Sequence, residues 1–137
     1  MLWLRKSKKG FTLIELMVVV AIIGVLALLG LRLYTGQQDK AKNAIVKANA
    51  GTIQTLIQAE LADESVSTVA ATGYVSALIV ESGIHNPFTG SPQGGNEGAG
   101  ETDLGDVWVT QSGAVFSING VGADGSDVYD SDLTARK

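Results

Sequence analysis

Few residues in this sequence could do chemistry. There is no cysteine, and His85 is the only histidine, so a disulfide framework and a thiolate metal site are both excluded. No GxSxG, HExxH or cysteine nucleophile motif is present, and His85 sits beside Asn86 and Pro87 as an ordinary histidine in a turn. No catalytic site is expected. What remains are carboxylates in two unusual settings. Glu15 is the single charge in the run FTLIELMVVVAIIGVLALLGL, Phe11 to Leu31. A carboxylate in an apolar span costs about 2.5 to 3.5 kcal/mol near a bilayer centre, less near the interface, and calls for a cationic partner. Asp124, Asp127, Asp130 and Asp132 crowd the segment GADGSDVYDSD. A glycine-containing turn can wrap such oxygens around calcium, which takes six to eight of them, although EF-hand spacing is absent. The alternative is a solvated acidic end kept extended by like-charge repulsion. The segment GSPQGGNEGAG has no lysine and no Walker spacing, so it reads as a flexible loop rather than a phosphate cradle.

The elements that position these groups follow from charge and hydropathy. Arg5, Lys6, Lys8 and Lys9 crowd the start, and no lysine or arginine occurs between Ala48 and Ala135. All of the 14 acids except Glu15 and Asp39 fall in that later stretch. Beyond the first ten residues six basic side chains face 14 acidic ones, and a nucleic-acid partner is excluded because nothing would neutralise phosphates. The run from Phe11 to Leu31, as a helix, spans roughly 30 Å and can cross a membrane. The basic residues before it stay cytoplasmic by the positive-inside rule, which exports everything after it. The run is longer than a secretory signal core, and LRLYTGQQD after it offers no small-x-small cleavage site.

Those residues carry a resemblance. KKGFTLIELMVVVAIIGVLA, Lys8 to Ala27, resembles the leader and N-terminal helix of type IV prepilins and pseudopilins. The resemblance implies that a prepilin peptidase cuts between Gly10 and Phe11 and methylates the new amine of Phe11. It also implies that the helix polymerises into a homo-oligomeric filament. The cationic Phe11 amine and the Glu15 carboxylate would pair between neighbouring subunits and set their register, as buried polar groups do in coiled coils. Gly24 and Gly30 are candidate points of helix loosening, each weakening a helix by about 1 kcal/mol relative to alanine. Related pilins often have a proline where this sequence has Arg32. The acidic C-terminal segment is similar to the calcium-binding loop of major pseudopilins, which makes calcium the one candidate cofactor.

The expected organisation is a leader over 1–10, a membrane and filament-core helix over 11–35, its amphipathic continuation over 36–64 and an exported β-rich domain over 65–137. Ile45, Ala48, Ile53, Leu56, Ile57 and Leu61 mark one face of the continuation. Tyr74 to Val80 reads as a short helix or strand, and Asp106 to Thr110 with Ala114 to Asn119 as a β-hairpin turning around Gln111, Ser112 and Gly113. The fold class is α+β, a long helix packed on a small antiparallel sheet. Phe11, Tyr34, Tyr74, Phe88, Trp108, Phe116 and Tyr129 are too sparse for an aromatic stack and read as core and register contacts. The leading expectation is a type IV pilus subunit, held in the cytoplasmic membrane by lipid and then moved to a surface filament by an assembly platform with a cytoplasmic ATPase. A pseudopilus subunit of type II secretion or DNA uptake is the alternative within the family. A membrane-tethered domain that never polymerises is the alternative outside it.

Overall fold

The computed structural model describes residues 10–94 and 103–137; the leader up to Lys9 and most of the glycine-rich loop lie outside them. Helix α1 runs Leu13–Asp63, followed by α2 (Val66–Val69), α3 (Tyr74–Glu81) and strands β1 (Val107–Ser112), β2 (Val115–Gly120) and β3 (Leu133–Arg136). The strands form one antiparallel sheet in the order β1-β2-β3. This is the α+β, pilin-like arrangement of a long helix on a small sheet. Two compact units divide within α1, one ending at Gln37 and the other comprising Gln38–Lys137.

In the first unit every residue from Gly10 to Gln37 is exposed. The helix is apolar around its circumference, and it is long and apolar enough to cross a membrane. It runs unbroken through Gly24 and Gly30, where an added Cβ would meet nothing within 4 Å.

In the second unit α1 buries Val46, Ala50, Ile53, Ile57 and Leu61, residues three or four apart that share one face. Ile53, Ile57 and Leu61 are buried as expected, and the face differs only at its start. Ile45 is 46% exposed and Ala48 is exposed, because the sheet meets the helix along the Val46–Ala50 ridge. Val107, Val109, Phe116, Ile118 and Ala135 supply the sheet's side of the core, and Val69, Val75 and Ile79 close it from α2 and α3. Tyr74 begins a helix rather than a strand, and its hydroxyl donates to Glu60 on α1 at 2.5 Å.

The hairpin is tighter than the alternation suggested. Ser112 pairs with Val115, so the turn is Gly113–Ala114, with Gly113 at φ 64 as a two-residue turn of this kind requires. Strand β3 and helix α2 add to the elements that the sequence pattern marks. The outer edge of β3 is satisfied by side chains of α1: Gln54 Nε2 donates to the Thr134 carbonyl at 2.8 Å and Gln58 Nε2 to the Arg136 carbonyl at 2.9 Å, while Arg136 N donates to Gln58 Oε1 at 3.1 Å. The segment before β1 is tied by Asn86, which is 4% exposed. Its Nδ2 donates to the Leu104 carbonyl at 2.8 Å and to Asp106 Oδ1 at 2.7 Å, and its Oδ1 accepts from Phe88 N at 2.8 Å.

Helix and sheet approach closely at Gly120, where a Cβ would run into Val46 Cγ1 and lie 3.3 Å from the Asp106 carbonyl oxygen. Gly120→Ala should therefore cost about 1 to 3 kcal/mol by overpacking. Urea denaturation should show a lower midpoint at unchanged slope, and a midpoint equal to the parent's would contradict this packing.

Candidate assembly site

The start of α1 is built by its own first turn. Thr12 caps the helix: its Oγ1 accepts from Glu15 N at 3.3 Å, while Glu15 Oε2 accepts from Thr12 N and Thr12 Oγ1, both at 2.8 Å. This is a reciprocal capping box, which satisfies two of the donors that a helix N-terminus otherwise leaves orphaned. The TLIE spacing carries that signal, and Thr12 is a site residue that the sequence analysis does not single out. The carboxylate also lies where the helix dipole favours negative charge. All three bonds involve one carboxylate oxygen or the backbone, so Oε1 is unengaged among the described residues. Phe11, Ile14, Val18 and Val19 line a shallow apolar groove beside Glu15, and Phe11 is 88% exposed. Gly10 and Phe11 lie just before the helix begins, in accessible non-helical backbone.

The four C-terminal aspartates are not brought together. Asp124 Oδ1 accepts from Ser126 N at 3.1 Å and Ser126 Oγ at 2.7 Å; the hydroxyl first, then the backbone amide, hold this carboxyl below its ordinary value. Asp132 Oδ1 accepts from Asn119 Nδ2 at 2.9 Å. Asp127 forms an isolated antiparallel bridge with Val121, and Asp130 is exposed. Among the described residues no three histidine, cysteine, aspartate or glutamate side chains are grouped to hold a metal ion.

His85 lies in a surface loop, with Nδ1 2.9 Å from the Gly83 carbonyl oxygen, while its own carbonyl accepts from Asn49 Nδ2 at 3.0 Å. Phe116 and Trp108 are core residues. Two other aromatics carry cations from α1, Lys42 over Phe88 at 4.8 Å and Lys47 over Tyr129 at 5.3 Å, contacts that pin the adjoining loops to the helix.

Comparison with known proteins bears on the same end of the chain. The family model for the prokaryotic N-terminal methylation motif matches residues 5–31. The fimbrial protein EcpB of Eikenella corrodens is 45% identical over 63 residues, covering 46% of this chain and 40% of that protein. A type IV major fimbrial protein FimA of Dichelobacter nodosus is 31% identical over 94 residues, 69% of this chain and 55% of its own length. The type IV major alpha-pilin of Moraxella bovis is 42% identical over 55 residues, 40% of this chain and 35% of its own. In these matches the chain spans between about a third and just over half of each relative's length. No solved structure is significantly similar to it. With the matched motif lying over the capped, exposed apolar helix, the chain carries the prokaryotic N-terminal methylation motif and is similar to type IV fimbrial proteins.

Proposed function

We propose that this chain is the structural subunit of a type IV pilus filament, without enzymatic activity of its own. The observation that carries the proposal is the first unit of α1, a helix apolar on every side whose only acid is a capped glutamate at its start. Ile14, Met17, Val20, Ile23, Leu26 and Leu29 are each more than half exposed. Burying each such side chain is worth about 1.5 to 3 kcal/mol, so the helix must be covered by lipid or by copies of itself. The precursor sits in the cytoplasmic membrane with its N-terminus inside. A prepilin peptidase removes residues 1–10 and methylates Phe11, and an assembly platform driven by a cytoplasmic ATPase moves the subunit from lipid into the filament. The helix over 11–35 then forms the filament core, continued by the amphipathic stretch to residue 64, and the acidic domain over 65–137 faces outward. Gly24 and Gly30 are the places where the helix loosens on assembly.

Glu15 serves both stages in this scheme. In the single chain, Thr12 donates two hydrogen bonds to Oε2 and lessens the cost of holding a carboxylate among apolar groups. In the filament, Oε1 is left to meet the cationic Phe11 amine of a neighbour, and an unpaired charge there is costly enough to fix the register. The pseudopilus alternative leaned on a calcium-like end, and the aspartates do not converge. The relatives named above are fimbrial proteins and a pilin, which supports the pilus.

Two experiments test this reading. Mass spectrometry of the mature chain should find Phe11 first and a methyl group on its amine; a mature chain beginning at Met1, or cut beyond Leu31, contradicts it. Glu15→Ala and Glu15→Gln should both insert normally and both lose assembly, because each removes the charge, although Glu15→Gln keeps an acceptor for Thr12. Recovery of normal fibre numbers with Glu15→Gln alone would show that capping, rather than charge pairing, is what assembly needs.

A further inference from the structure

The connection from β2 to β3, Val121 to Asp132, carries four aspartates in a chain without cysteine. It is nonetheless closed by its own backbone: Gly122 N donates to the Ser126 carbonyl at 2.8 Å and Val128 N to the Gly120 carbonyl at 2.8 Å. At its root lies Asn119, the last residue but one of β2, 1% exposed. All four hydrogen-bonding positions of this amide are used. Oδ1 accepts from Gly120 N at 2.8 Å and Tyr129 N at 3.2 Å, and Nδ2 donates to the Tyr129 carbonyl at 3.0 Å and to Asp132 Oδ1 at 2.9 Å. Two backbone donors face the oxygen and two acceptors face the nitrogen, which assigns the amide's orientation.

We propose that Asn119 is the internal anchor of the acidic C-terminal loop, and that this loop folds without calcium. A carboxylate in place of Asn119 would lose both donated bonds and stand against Asp132; an apolar side chain would leave four groups unmet. The far side of the loop is held in the same way, with Asn43 Oδ1 on α1 accepting from Ala123 N at 2.8 Å and the Tyr129 hydroxyl donating to the Lys47 carbonyl at 3.1 Å. A calcium ion needs six to eight oxygens, but Asp124 Oδ1 is held by Ser126 and Asp132 Oδ1 by Asn119. These two carboxylates therefore have partners within the loop without an ion. The anchor is a property of the folded domain and does not depend on the filament reading.

The test is amide hydrogen exchange over residues 121–132 in the full-length chain in detergent micelles, with millimolar calcium or with chelator at equal ionic strength. Protection should be the same in both. In Asn119→Asp the loop should exchange faster by about tenfold or more, the scale of losing two buried hydrogen bonds, while the buried face of α1 stays protected. Protection that appears only with calcium, or an Asn119→Asp loop as protected as the parent's, overturns the proposal. Should Asn119→Asp fail to fold, Asn43→Ala decides the matter through the same readout: faster exchange centred on Ala123 supports side-chain anchoring, and no change contradicts it.

Discussion

A helix that is apolar on every side cannot stand uncovered in water, and this constraint organises the chain from residue 11 to residue 35. Lipid can cover it and so can other copies of the same helix. The two coverings differ in what they ask of a charge. In the single chain the carboxylate turns back on Thr12 in a capping box, which gives it partners where lipid would offer none. In the proposed filament a neighbour's Phe11 amine would supply a cation, and the oxygen that the box leaves unengaged would accept it. One side chain thus suits two environments that would otherwise make opposite demands on it.

The second unit meets a different constraint. It carries most of the chain's acids and does without disulfides, so close packing and amide side chains hold it. Val46, Ala50, Ile53, Ile57 and Leu61 lock α1 onto the sheet. Gln54 and Gln58 close the open edge of β3, which otherwise would be a template for unwanted pairing. Asn86 ties two parts of the connection before β1 to each other, and Asn119 ties the connection after β2 to the sheet. An amide costs no charge to bury and both donates and accepts, which suits a domain already rich in negative charge.

The parts of this structure that could be read from residue order are those whose signal is periodic or compositional. The apolar run, its basic flank and the amphipathic continuation located α1 to within two residues at its start and one at its end, and alternation located the hairpin. The buried face agrees at Ile53, Ile57 and Leu61 and differs at its start, because Ile45 and Val46 are both apolar and only the position of the sheet decides between them. Strand β3, four residues reading LTAR, has no alternation long enough to notice; it exists because α1 and β2 offer it partners. The aspartates looked like a cluster because they are close in sequence, but Asp132 turns to Asn119 while Asp124 turns to Ser126. Asn119 itself, an unremarked residue before Gly120, became visible only once both ends of its loop were placed. Thr12 is the opposite case, since its spacing to Glu15 is a known helix-start pattern that the apolar run overshadowed.

The central claim is that the exposed apolar half of α1 is finally covered by copies of itself. Imaging of fibres sheared from the cell surface, at a resolution that traces helices, tests it most directly. The account predicts fibres composed of this chain, with residues 11–35 of neighbouring subunits bundled in the core and the acidic domains outside. Fibres lacking this chain, or the chain found only as a membrane-bound monomer, would contradict it.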